Sequence, residues 1–186
     1  MSKREVIEKS FMELVGEMPY TKISVTDICE RAGVSRKMFY TEFENKEDVV
    51  RSLFERHAVR PSKTLNKMLS LSDLYSMEEL VMAKFYEGIY EQREYYINLI
   101  GPIFGKDDVF IRVATNTLLD FNEQLLPQLG NIGNGWQAEY TCYFFASSQS
   151  MYLQKWIRDK MPVSPHELAS HYLSMTSAFW RGLTEK

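Results

Sequence analysis

Residues 23–46, ISVTDICERAGVSRKMFYTEFENK, constrain the fold more than any other stretch. Ser24-Val25-Thr26-Asp27 reads as a helix start, because a serine can accept from the backbone N–H three residues on while the acid there answers it. Two turns later Gly33-Val34-Ser35 interrupts, and Ser35 can cap a second short helix with Phe39 facing inward. So short a link forces the two helices together across a glycine able to take positive φ. Ile28, Ala32, Val34 and Phe39 then form their small shared core. Arg36, Lys37, Met38, Tyr40 and Thr41 stay outside on the second helix. These are donors and apolar groups suited to base edges, thymine methyls and phosphates. The arrangement is that of a helix-turn-helix, whose second helix enters the major groove of DNA.

The flanking sequence is helical almost throughout. Val6, Ile7, Phe11, Leu14, Val15 and Met18 share one face of a helix over 3–17, bounded by Gly16 and Pro19. Asn45-Lys46-Glu47-Asp48 opens a long helix reaching to about Leu69. Ser76-Met77-Glu78-Glu79 is a capping box opening another, to about Gln92, and Ser164-Pro165-His166-Glu167 opens the last with proline at its first helical position. Between them the pattern predicts helices over 94–100, over 107–126 and from Trp136 to Asp159. Breaks fall at Gly101-Pro102 with Gly105, at Pro127 to Gly135 and at Met161-Pro162. No β-branched alternation is long enough for a strand. The expected fold is all-α with about nine helices. A three-helix DNA-binding head over 1–46 precedes a larger helical domain over 47–186.

Charge qualifies the nucleic-acid reading. Lys and Arg number 22 against 25 Asp and Glu, for a net charge of −3. Residues 1–60 carry 11 of each sign, so the head is no polycation. A few placed cations must contact phosphate, because bulk attraction is absent. Only two cysteines occur, Cys29 and Cys142, without metal-ligand spacing, which argues against a disulfide scaffold or zinc site and fits a cytoplasmic protein. No apolar run approaches the roughly 20 residues of a membrane span, and MSKREVIEKSF has no signal-peptide core. His57, His166 and His171 form no convergent set, so neither metal nor cofactor is expected.

The segment resembles the DNA-binding domain of the TetR family of bacterial transcriptional regulators. The resemblance rests on Ala32-Gly33-Val34-Ser35 followed by Tyr40, Phe43 and Lys46 in a Y-x-x-F-x-x-K register, and covers about the first 50 residues. It implies DNA contacts from Thr26 at the start of the second helix, from Ser35, Arg36, Lys37, Met38 and Thr41 along the recognition helix, and from the Tyr40 hydroxyl to phosphate. It also implies that Lys46 meets a phosphate at the start of the fourth helix, where the helix dipole helps. Lys37, Met38 and Glu42 depart from the family's usual residues, which leaves the operator sequence unread.

The second half is rich in aromatic residues. Tyr86, Tyr90, Phe121, Tyr140 and Phe144 are candidate lining for an effector pocket, and core packing accounts for them equally well. Cys142, Ala146 and Ser150 form a small-residue stripe that would let another helix approach closely. Leu168, Tyr172, Met175 and Phe179 form an apolar stripe on the last helix. The resemblance implies that two such helices pair with a symmetry mate.

The expected protein is a homodimeric repressor of a palindromic operator on double-stranded DNA, released by a small hydrophobic or aromatic effector. The same residues serve a transcriptional activator equally well. A helical interaction or ligand-carrying module without DNA binding is the other class, weakly favoured by the neutral head. An enzyme finds no nucleophile–base pair, phosphate loop or metal motif in the sequence.

Overall fold

The structure, a computed structural model, describes residues 2–68, 70, 77–100 and 108–184. Nine helices and no strand occur among them. The first three are α1 (Lys3–Glu17), α2 (Val25–Ala32) and α3 (Arg36–Glu42). A fourth, α4, runs continuously through Lys46–Phe54, a π-helical Glu55–Val59 and Arg60–Met68. Then come α5 (Glu78–Glu91), α6 (Arg93–Ile100), α7 (Val109–Leu129), α8 (Trp136–Arg158) and α9 (Pro165–Thr184). No helix of the described residues is long and apolar enough to cross a membrane.

The caps explain most of these boundaries. Ser24 and Asp27 form a reciprocal capping box, and Ser164 does the same with Glu167. Ser2 and Glu5 make a further box at the start of α1, while Asn45 accepts from the Asp48 N–H to start α4. Ser76 and the break at Gly101-Pro102 with Gly105 lie outside the described residues, as does Leu69. Two boundaries differ from the sequence reading. Pro127 sits inside α7, which continues to Leu129 and ends at Gly130. A proline forfeits one hydrogen bond, and near a helix end that loss does not stop the chain. The π-helical turn in α4 has no signature in the sequence pattern, which shows only continuous helix.

One connected core joins the two halves. Ile7, Phe11, Ile28, Phe39 and Phe43 fill the head, and Tyr95 of α6 enters it with its ring edge-on to Phe11 at 6.3 Å. Phe54 of α4 meets Phe85 and Phe110 edge-on at 6.1 and 5.9 Å. Along α5 the backbone comes hard against α4 at Gly88, where a Cβ would lie 1.7 Å from the His57 carbonyl oxygen. Only glycine permits that approach. In the second half α8 lies along α7, and α9 lies along α5.

Candidate nucleic-acid interface

The turn between α2 and α3 is built as its residues require. Gly33 takes φ 62° and ψ 35°, the left-handed region, and Val34 N–H donates to the Cys29 carbonyl at 3.0 Å to close the end of α2. Ser35 caps α3 by accepting from the Met38 N–H at 3.1 Å, so its hydroxyl oxygen is engaged in holding the helix start. Ile28, Phe39 and Phe43 are buried beneath, with Val25, Ala32 and Val34 packed against them. Burial of the Cys29 thiol among them pushes its pKa up.

The opposite side of the motif faces solvent. Thr26, Ser35, Arg36, Lys37, Tyr40 and Thr41 are exposed, and Met38 is half-buried. Tyr40, 51% exposed, is braced edge-on against Phe39 at 5.4 Å, which aims its hydroxyl outward without a second support. Thr41 donates to the Lys37 carbonyl at 3.0 Å, leaving its methyl and oxygen lone pairs for an outside partner. The structure thus gathers seven of the eight residues singled out from the sequence onto the outer side of the α2–turn–α3 unit.

Lys46 is placed differently. Its Nζ donates to the carbonyl oxygens of Tyr20 and Ile23, both at 2.8 Å, and lies 4.0 Å above the Tyr20 ring. In this arrangement the ammonium clamps the start of α4 to the 3₁₀ turn (Tyr20–Lys22) that leads into α2. The Tyr20 carbonyl also accepts from the Ile23 N–H at 3.1 Å, so the cation is a second donor to it.

Ion pairs hold the frame around the motif. Arg31 of α2 grips the Glu17 carboxylate with two bonds of 2.8 and 2.6 Å, and that pairing holds the Glu17 pKa below the usual carboxylate range. The Ser24 hydrogen bonds lower Asp27 in the same sense. At the start of α4, Glu47 accepts from Arg112 of α7 at 2.7 and 3.2 Å and is likewise depressed by it. The sequence reading passed over Arg4 and Glu8 of α1. Arg4 donates to the Glu42 carbonyl at the end of α3, and Glu8 is a buried carboxylate. A charged residue at an inward helical position is the sequence signal for Glu8: it stands beside Ile7, three residues before Phe11.

The second half reverses the two sets proposed from sequence. Cys142, Ala146 and Ser150 are buried within the chain, so this stripe is not an outward dimer face. Cys142 packs with Leu126, Ile132 and Phe145, and Ser150 donates to the Ala146 carbonyl at 2.7 Å. The close approach that small side chains allow is used by α7 of the same chain. Tyr140 and Phe144, expected to line a pocket, are instead 69% and 57% exposed on the opposite side of α8. The other three pocket candidates do not converge either. Tyr86 is buried, with a hydroxyl that finds no hydrogen-bond partner among the described residues; Tyr90 stacks on Trp156; half-buried Phe121 faces the Lys63 ammonium at 5.7 Å. On α9, Leu168 and Tyr172 are buried and Met175 is exposed, while the Phe179 side chain lies outside the described residues.

An open groove of about 970 Å³ lies elsewhere, between α1, the π-helical turn of α4 and the α5–α6 junction. Its walls include Lys9, Glu13, Arg56, His57, Arg93 and Tyr95, and none of the five pocket candidates. Beside it, His57 Nδ1 is 3.0 Å from the Tyr96 hydroxyl, and burial with the neighbouring Arg56 charge lowers its pKa to about 4.

Residues 11–53, which span this motif and its frame, match the sequence profile of "Bacterial regulatory proteins, tetR family". The head of the chain is thus similar to that of TetR-family regulators. The chain is 36% identical over 52 residues to the HTH-type dhaKLM operon transcriptional activator DhaS of Lactococcus lactis, a match covering 28% of each chain. The chain thus aligns with little more than a quarter of that curated relative's length. Among solved structures, the dihydroxyacetone kinase operon activator DhaS superposes with a TM-score of 0.60 over 98% of both chains at 19% identity. A TetR transcriptional regulator from Streptococcus agalactiae 2603V gives a TM-score of 0.60 at 20% identity, over 93% of this chain and 92% of its own. At these identities the likeness extends the TetR-family fold over the second half, where sequence similarity does not reach.

Proposed function

We propose that this chain is a homodimeric transcriptional regulator that reads a palindromic operator on double-stranded DNA with α3. One observation carries the reading. Arg36, Lys37, Tyr40 and Thr41 stand exposed on a helix whose other side is locked by Phe39 and Phe43, behind a left-handed glycine turn. A rigid helix with outward donors is what major-groove readout needs. Thr26 and Tyr40 serve phosphates in this reading. Lys46 acts first as a clamp, its charge adding to the field at the start of α4.

The dimer face in this proposal is the outer side of α8. Trp136, Tyr140, Tyr143, Phe144 and Met151 are exposed there at helical spacing, and Met175 of α9 is exposed as well. Monomeric proteins rarely present so many large apolar groups together, and a second copy would cover them by placing like against like about a two-fold axis. Two heads so joined meet successive major grooves, which compensates for the weak hold of a single neutral head on one half-site. In this reading an effector acts by binding one arrangement of the heads better than the other, and so shifts their population.

Repression is the sign first expected from the sequence. Activation has a specific observation in its favour, since the relative and one of the structures described above are both activators of an operon. Selection of bound duplexes from a random pool tests the proposal. Enrichment of a palindrome whose affinity falls with salt supports it. A folded protein that enriches no sequence, with and without candidate effectors, points to a helical module in which the motif is scaffold.

A further inference from the structure

Arg4 joins three elements of the head through one side chain. Its Nη1 donates to the Glu42 carbonyl at 2.8 Å, at the last residue of α3. Its Nη2 and Nε donate to the Ser52 hydroxyl of α4 at 2.9 and 3.2 Å. The guanidinium lies 4.2 Å over the Phe43 ring, just past the end of α3. Carbonyls at a helix end lack intrahelical donors, and a cation there also meets the negative end of the helix dipole. Beneath this contact Glu8 is buried, and both its oxygens are engaged. Oε1 accepts from Ser52 at 2.6 Å, and Oε2 pairs with Arg56 at 2.6 Å.

We propose that Arg4 is a positioning residue for DNA recognition: through Glu42 and Ser52 it fixes the end of the recognition helix to α4, with buried Glu8 as the brace. Helix α3 has seven residues, and its apolar anchors Phe39 and Phe43 fix its depth but not its rotation about the axis between them. Directional bonds at the C-terminal end supply that second constraint, and the rigid fork of arginine holds two acceptors at a set separation. Arg56 extends the brace to the π-helical turn, whose next residue, His57, meets Tyr96 of α6. A shift of α6 against α4 therefore reaches the recognition helix through this set of contacts.

The proposal rests on the DNA-reading role of α3, and its test separates the two. Wild-type protein, Arg4→Ala and Arg4→Lys would be measured against the enriched operator and an unrelated duplex over a salt series. Hydrogen exchange of the α3 amides would be followed in the free proteins. Arg4→Ala should lower operator affinity roughly tenfold, as its charge-assisted hydrogen bonds to Glu42 and Ser52 are lost, and leave the unrelated duplex within about twofold. The salt slope should hold, because no phosphate contact is removed. Arg4→Lys should recover part of the loss, since an ammonium can reach the carbonyl without forking to Ser52.

A salt slope reduced by about one would overturn the proposal, because Arg4 would then itself touch phosphate. Equal losses on both duplexes, or no loss on the operator, would also overturn it. Should Arg4→Ala fail to fold, Ser52→Ala removes only the shared hydroxyl and should give a smaller loss confined to the operator. Should the wild-type protein enrich no operator, the DNA reading has failed and exchange alone decides. Faster exchange over residues 39–43 in Arg4→Ala supports the brace, and unchanged exchange contradicts it.

Discussion

The head and the second half are held together by different kinds of contact. In the head, charged side chains tie helix to helix: Arg31 to Glu17, Arg4 through Ser52 to Glu8 and Arg56, and Lys46 to two carbonyls. In the second half the meeting of α5, α8 and α9 is made of rings. Tyr86 and Tyr90 both lie 6.0 Å from Trp156, and Tyr152 stacks on His171 while leaning on Tyr172. Charge-assisted hydrogen bonds are directional and lose strength within tenths of an ångström. Ring packing tolerates sliding and repacking far better. A surface that must match the fixed spacing of DNA groups gains from the first kind. A region that must accept alternative arrangements gains from the second.

That contrast can be broken most severely at the outer face of α8. Phe144→Glu places a charge where the proposed second copy packs, on the exposed side of the helix. The variant should sediment as a monomer, and operator affinity should fall roughly a hundredfold or more as two-headed binding is lost. A dimer of unchanged affinity would move the interface elsewhere.

The next largest effect belongs to the seam between the two regions. Gly88→Ala puts a methyl into the His57 carbonyl, which neither backbone can yield cheaply. Thermal or denaturant unfolding should show a loss of roughly 3 kcal/mol. A variant as stable as wild type would mean that α5 and α4 do not meet so closely.

The smallest effect is a pH dependence at the same seam. His57 is buried with a pKa lowered to about 4 from the ordinary 6.5, so the unfolded chain takes up a proton that the folded chain refuses. Its contribution to stability is complete above pH 6.5 and is lost progressively as pH falls from about 6.5 to about 4. The carboxylates held low by partners, such as Glu17 and Glu47, are lost only at more acidic pH. Denaturant midpoints between pH 7 and 5 should therefore slope downward in wild type and flatten in His57→Asn. Identical slopes would remove His57 from the account.

Local chemistry made the head legible in the sequence. Ser24 with Asp27, Gly33 and Ser35 each answer a backbone requirement within four residues, so the pattern and the structure agree on where α2 and α3 begin and end. Cap residues also placed the starts of α4 and α9. The faces of α8 were not legible in the same way. Periodicity says which residues share a face, but it cannot say which face turns inward when one is small and the other aromatic. Packing density decided that. Cys142, Ala146 and Ser150 let α7 lie close within the chain, and the large rings of Tyr140 and Phe144 were left outside. The Arg4–Glu8–Ser52 contact spans 44 to 48 residues of sequence, and only the inward charge of Glu8 hints at it locally.

DNA reading by α3 rests on side chains exposed on its outer side. Arg36 is the sharpest case, exposed on the first turn of α3 behind the Ser35 cap. The direct measurement is the affinity of Arg36→Ala for the enriched operator, beside its unfolding midpoint. Affinity should fall by about 1–3 kcal/mol, with discrimination relaxed at one operator position and the midpoint unmoved. Unchanged operator affinity in a folded Arg36→Ala protein would contradict the account, leaving this arginine a solvated charge on a structural helix.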